Sequence, residues 1–161
     1  MKVLIFSDSH SGLSFMRLCV DKIKPDAILH LGDHYDDAEA IHEEYPNIPL
    51  EAVAGNCDKY RAPIYAREIL LHTVGGVRLY MTHGHIHRVK QVLSFLIRDA
   101  RAANADAALF GHTHVAYCEQ ESDGLWVVNP GSCGYFGGSA AVIEIENKKI
   151  SSCRIIRQED L

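Results

Sequence analysis

The apolar run Val3-Leu4-Ile5-Phe6 ends at Ser7-Asp8-Ser9-His10. A short unbroken apolar run closed by polar residues predicts a strand buried on both faces. Residues 13–23, LSFMRLCVDKI, carry their apolar positions at helical spacing and predict a helix. The pattern then repeats, with a strand in 26–33 (DAILHLGD), a helix in 37–45 (DAEAIHEEY) and a strand in 48–56 (IPLEAVAGN). Alternation of strand and helix predicts an α/β core with parallel pairing.

From residue 66 the pattern changes. Two alternating runs flank Gly75-Gly76, a hairpin signal. Val89, Val92, Leu93, Leu96, Ala100 and Ala103 mark one face of a helix. A strand is expected in 105–114, a hairpin in 115–131 turning near Ser122-Asp123-Gly124, and a last hairpin in 140–156 turning at about Asn147. No repeat or linker interrupts 1–161, so a single domain is expected.

Composition narrows the class. A chain of 161 residues can bury roughly 70% of its unfolded surface without staples. Apolar content of 47% and charged content of 23% fit a soluble globular protein. The net charge of −5 gives no signal for a nucleic-acid or membrane surface. No run approaches the length of about 18 apolar residues that a membrane span needs, and the first one is too short for a signal peptide. Five cysteines, with no C-x-x-C, predict reduced thiols and a cytoplasmic protein. The unusual count is ten histidines, the residue that metal sites use most.

Each predicted strand is followed by a side chain able to hold a metal. Asp8 and His10 follow the first, Asp33 the second and Asn56 the third. Thr82-His83-Gly84-His85 follows the Gly75-Gly76 hairpin, and Gly111-His112-Thr113-His114 the strand after it. From Asp8 through Asp33, Asn56, His83 and His112 the steps are 25, 23, 27 and 29 residues, the length of one strand-helix-strand or hairpin-helix unit each. Open α/β sheets place their sites at the carboxyl ends of strands, so these ends are expected to converge on one edge. Carboxylate, imidazole and a single amide suit Mn²⁺, Fe²⁺, Zn²⁺ and similar ions, not a cysteine-rich structural zinc. So many donors, with a carboxylate able to bridge, fit two ions about 3.5–4 Å apart. Two divalent ions outweigh two aspartates, so the site attracts an anion, and a phosphate ester is the natural one.

The motifs DSH at 8–10, GD at 32–33, GNCD at 55–58, THGH at 82–85 and GHTH at 111–114, in this order and spacing, resemble the calcineurin-like metallophosphoesterases. The short chain, GNCD and the NPGS at 129–132 are similar in particular to the small YfcE-type phosphodiesterases. The likeness runs from Lys2 to about Ile156. It implies a two-sheet β-sandwich flanked by helices. It implies that Asp8, His10 and His114 hold one metal, that Asn56, His83 and His112 hold the other, and that Asp33 bridges them. It also implies a phosphodiester substrate and two divalent ions, Mn²⁺ favoured, with Zn²⁺, Fe²⁺, Ni²⁺ or Co²⁺ as substitutes. The family reaction is in-line attack by a bridging hydroxide, with Asp33, Asn56 and His83 at the reacting centre. Small relatives are often dimers or larger, so a homo-oligomer is implied in the same way.

Cys57 stands where the wider superfamily has a histidine thought to protonate the leaving group. A thiol, with an ordinary pKa of about 8.5, is a poorer acid at neutral pH. The proton then comes from His85 or water. Asp58 is expected to orient the loop or a neighbouring histidine. Two other readings compete: a non-catalytic metal-binding scaffold, resembling the small retromer subunit with part of its metal set lost, and a phosphomonoesterase or nucleotidase. The complete ligand set favours the enzyme.

The remaining residues read more plainly. Spacing alone does not choose among His83, His85 and His87; the resemblance chooses His83. His30, inside a strand, is expected to be a hydrogen-bonded core residue. His34, His42 and His72 read as solvated and His87 as a surface residue. Asp36 and Asp37 either support the site or begin a helix, where acids are favoured. Residues 129–132 read as a turn, and Arg88 and Lys90 as residues within reach of phosphate.

Overall fold

The computed structural model describes residues 1–135 and 137–161. In it β1 (Lys2–Phe6), α1 (Leu13–Ile23), β2 (Ala27–His30), α2 (Tyr35–Glu44) and β3 (Leu50–Ala52) follow one another as the alternation predicts. The three strands pair in parallel. Gly75-Gly76 joins β4 (Ile69–Val74) to β5 (Val77–Thr82), with Val74 opposite Val77. α3 (Ser94–Ala102) leads to β6 (Ala107–Leu109), which runs parallel beside β5. β7 (Tyr117–Gln120) and β8 (Trp126–Asn129) form a hairpin whose second strand is parallel to β6. β9 (Ser139–Glu146) and β10 (Lys149–Arg157) form the last one, and β9 lies antiparallel against β1. Two five-stranded sheets result, β10-β9-β1-β2-β3 and β4-β5-β6-β8-β7.

Side-chain alternation explains how they stack. Val3 and Ile5 of β1 face the other sheet and meet Leu29, Leu79, Met81 and Leu109. Leu4 and Phe6 face outward onto α1 and α2 through Phe15, Met16, Cys19 and Ile41. On the second sheet Tyr80, Ala108 and Val127 turn outward against Leu96 and Ala100 of α3. The order helix, sheet, sheet, helix is why the central parallel strands read as unbroken apolar runs. Among the described residues no helix is long and apolar enough to cross a membrane.

The helix expected from Val89 begins only at Ser94. A 3₁₀ turn, His85–His87, comes first, bracketed by Gly84 at φ 100° and Arg88 at φ 54°. Val89 is buried because its N–H turns back to the Gly84 carbonyl at 3.3 Å, whereas Val92 is 44% exposed. The apolar spacing thus marks a plug under a loop followed by a shorter helix.

Candidate metal centre

The strand ends bring the predicted residues to one edge of the sandwich. Asp8, His10, Asp33, His112 and His114 all have positive φ, between 42° and 67°. Left-handed backbone costs a non-glycine residue roughly 1–2 kcal/mol. The tight turns it makes fold these side chains back over the strand ends. Two glycines provide the room. A Cβ on Gly55 would fall on the Asp33 carboxylate, and one on Gly111 would fall on the Ser7 hydroxyl.

Asp8, His10 and His114 bring one donor atom each within 4.8 Å of one another, and so do Asp8, Asp33 and His83. Asp8 therefore belongs to both groups. His114 Nε2 stands 3.1 Å and His83 Nε2 3.9 Å from Asp8 Oδ1. His83 Nε2 is also 3.4 Å from Asp33 Oδ2. Asp8 Oδ2 is engaged: the Ser7 hydroxyl donates to it at 2.6 Å and the His112 N–H at 3.0 Å. Oδ1 is left buried without a hydrogen bond, as are His10 Nε2 and His83 Nε2. Buried polar atoms normally find partners. Orphaned oxygen and nitrogen atoms converging at one place are what a cation completes, so these residues fit a divalent metal. His83 Nδ1 donates to the Leu31 carbonyl at 2.8 Å, which turns Nε2 toward the carboxylates. The His112 ring lies 5.0 Å from that of His83.

A third group, His34, Asp36 and Asp37, also brings its donors together. Its carboxylates are already engaged, Asp36 with Arg61 at 2.8 Å and Asp37 with the Ser11 N–H at 2.8 Å.

The electrostatics favour a cation. Burial pulls the His83 pKa down, but Asp33 and Asp8 carry it above its ordinary value. Burial alone would raise Asp33; His83 and the Cys57 N–H, at 2.9 Å, hold it well below the usual carboxylate range. His112 is lowered to about 4 by burial and by His83. His10 is lowered by burial and by His34. Both are neutral imidazoles at pH 7, the form that binds metal.

The GNCD loop is clamped by its last residue. Asp58 Oδ2 accepts the N–H groups of Asp33 (2.8 Å) and Gly55 (2.7 Å), and Oδ1 accepts that of Tyr35 (2.9 Å). Asp58 thereby ties the loop to the turn at Asp33 and Tyr35. Asn56 turns its side-chain nitrogen to Cys57 Sγ, 3.4 Å away, and lines a cavity that His85 shares. Burial and Asp33 push the Cys57 thiol up to about 11, so it stays protonated and is a reluctant acid. His85 Nε2 lies 3.1 Å from Glu68, and its ring 5.6 Å from that of His83.

Residues 1–148 match the family model described as the calcineurin-like phosphoesterase superfamily domain. The chain belongs to that superfamily. A Bacillus subtilis protein named a probable metallophosphoesterase is 38% identical over 135 residues, 82% of this chain and 75% of that protein. A phosphodiesterase of Methanocaldococcus jannaschii is 25% identical over 168 residues, 92% of this chain and 96% of that protein. The zinc complex of wild-type Vps29 from Entamoeba histolytica has a TM-score of 0.69 at 19% identity, over 98% of each chain. That likeness is one of fold.

In this member of the calcineurin-like phosphoesterase superfamily, two histidines read as solvated or surface residues lie elsewhere. His34 is half-buried with its ring edge-on to His10 at 4.8 Å, because the left-handed turn at Asp33 and His34 folds it inward. His87 is 4% exposed, and its Nε2 meets the Tyr80 hydroxyl at 3.1 Å. The 3₁₀ turn rotates it toward the core, where an extended segment would not. His72 is half-buried on β4, while His42 is exposed. His30 is buried with its Nε2 3.1 Å from the Ser9 hydroxyl, as expected.

Two supports of the site were not anticipated. Asn129 Nδ2 donates to the Gly111 carbonyl at 3.0 Å and to Thr113 Oγ1 at 2.9 Å, and the Ser132 hydroxyl donates to the Asp8 carbonyl at 2.7 Å. NPGS thus ties the GHTH loop to the DSH loop. The Tyr135 ring stacks on His114 at 5.4 Å and lies 4.8 Å from His10. Its one sequence signal is an aromatic residue set among glycines.

Proposed function

We propose that this chain is a phosphodiesterase working with two divalent metal ions. The observation that carries the reading is the sharing of Asp8 by two donor groups whose orphaned atoms, Asp8 Oδ1, His10 Nε2 and His83 Nε2, meet at the strand ends. Two adjoining donor groups suit a pair of ions better than a single one, and Asp33, which joins Asp8 and His83 in the second group, is the carboxylate set to lie between them. Asp8, His10 and His114 would hold one ion and Asn56, His83 and His112 the other, with Asp33 beside both sets. Bound there, the ions supply a nucleophile at neutral pH and neutralise charge developing at phosphorus. The chain's own residues orient that chemistry. Ser7 and the His112 N–H fix Asp8, the Leu31 carbonyl fixes His83, and Asp58 fixes the loop that carries Asn56. His85 stands at the substrate side and is assigned as the proton donor to the leaving group, because burial and Asp33 hold the Cys57 thiol at about 11. Oxygen and imidazole donors without thiolate suit Mn²⁺, Fe²⁺ and Zn²⁺ alike, and Mn²⁺ is the ion chosen for the test. The choice of diester is supported by the M. jannaschii phosphodiesterase, similar over 92% of this chain.

The scaffold reading draws its support from the fold likeness to Vps29. Because that protein was solved with zinc, metal binding alone does not separate the two readings. Turnover does. Metal-stripped protein is expected to hydrolyse bis-p-nitrophenyl phosphate only when Mn²⁺ is restored, and to prefer it to p-nitrophenyl phosphate. Preference for the monoester would make the chain a phosphomonoesterase. A folded, metal-loaded protein that cleaves neither would leave the scaffold.

A further inference from the structure

A cavity of about 600 Å³ opens beside His85 and His112. Its outer wall is Arg88, Lys90, Val92 and Phe95, from the end of the 3₁₀ turn to the start of α3. Among the described residues no carboxylate lines it. Arg88 closes the turn in left-handed backbone, φ 54°, with its N–H on the His85 carbonyl at 3.2 Å. Among the described residues its guanidinium has no carboxylate partner. Arg61, Arg98 and Arg101, by contrast, are paired with Asp36, Asp99 and Asp123. Lys90 is exposed and equally unpaired. Phe95 and Val92, 42% and 44% exposed, form an apolar stretch of the same wall. In a chain of net charge −5, two unneutralised cations at the mouth of the metal centre focus anions there.

We infer that this cavity receives one esterified group of the phosphodiester, and that this group carries a second anion, a phosphate or a carboxylate, beside an apolar portion. The inference deepens the phosphodiesterase reading and rests on it. Arg88 offers a planar fork for two oxygens of the second anion, and Lys90 adds a point charge. Phe95 and Val92 cover the apolar portion. These contacts are made in the ground state and the transition state alike, so they lower KM and leave kcat largely to the metal centre.

The probes are thymidine 5′-(p-nitrophenyl phosphate) with and without a 3′-phosphate. They share a chromophore and a reacting diester and differ in the second anion. With Mn²⁺ the wild-type protein is expected to favour the 3′-phosphorylated ester about tenfold in kcat/KM, through KM, as one charge-assisted contact would give. The ratio is expected to collapse toward one in the Arg88→Gln/Lys90→Gln double variant, to survive in part in Arg88→Lys, and to shrink as salt rises. Three results would overturn the inference and leave the diesterase reading standing: a wild-type ratio near one, a preference that survives in the double variant, or cleavage of bis-p-nitrophenyl phosphate without cleavage of the phosphorylated ester. If wild-type protein cleaves none of the three esters, the diesterase reading falls and takes this inference with it.

Discussion

His30 is fully buried at the end of β2, its Nε2 3.1 Å from the Ser9 hydroxyl and its Nδ1 accepting the Gly32 N–H at 3.3 Å. Burial lowers its pKa to about 4, against about 6.5 in the unfolded chain. Between those values the unfolded chain binds more protons, so stability falls as pH falls through the window. The loss from this one imidazole is about 2 kcal/mol between pH 7.5 and pH 5. Urea unfolding at the two pH values should show it. His30→Asn is expected to narrow the gap by that amount, whatever it costs at pH 7.5; an unchanged gap would assign the loss to other histidines. A polar residue inside an apolar run was enough to predict His30. His87 was not predictable in that way, because its burial follows from a 3₁₀ turn that alternating spacing does not announce.

The loops at the strand ends act as units. Asp58 holds the GNCD loop to the Asp33 loop through the N–H groups of Asp33, Gly55 and Tyr35. A buried donor left without an acceptor costs about 1–3 kcal/mol. Asp58→Ala is therefore expected to lower stability by about 3 kcal/mol or more and to weaken Mn²⁺ binding about 10- to 100-fold, as read by calorimetric titration. Asp58→Asn keeps one acceptor oxygen and should fall between. Unchanged Mn²⁺ affinity in the alanine variant would mean that the loop is held by other contacts. The elements themselves were largely legible. LSFMRLCVDKI is α1 residue for residue, and Gly75-Gly76 marks the β4–β5 turn. The start of α3 was not, since Val89 is apolar in order to fill the space under Gly84 rather than to extend a helical face.

On the scale of the whole molecule, the family motifs implied the two-sheet sandwich, and local pattern did not. Periodicity cannot say that β9 lies on β1, pairing Val3 with Ile143, or that β8 joins β6. It is that distant pairing which carries NPGS to the site, so Asn129 and Ser132 read only as a turn. The assembled edge joins both sheets at the candidate metal centre, with Asp8 and Asp33 following strands of one and His83 and His112 following strands of the other. Metal removal should then weaken the fold as a whole. An ion present at about a hundred times its Kd adds about 2.7 kcal/mol, or about 5–10 °C in Tm for a domain of this size. Chelation followed by Mn²⁺ addition, monitored by calorimetry, measures that shift. A Tm indifferent to both would mean that the donor groups hold no metal.

Five of the residues at this edge, Asp8, His10, Asp33, His112 and His114, sit in left-handed backbone that a glycine would adopt without strain. A glycine at His10 or His114 would relax its turn and abolish a donor in the same step. Substitution by glycine at these positions therefore trades a donor for a less strained turn. The donor set thus stands on a backbone whose strain the surrounding loops must hold.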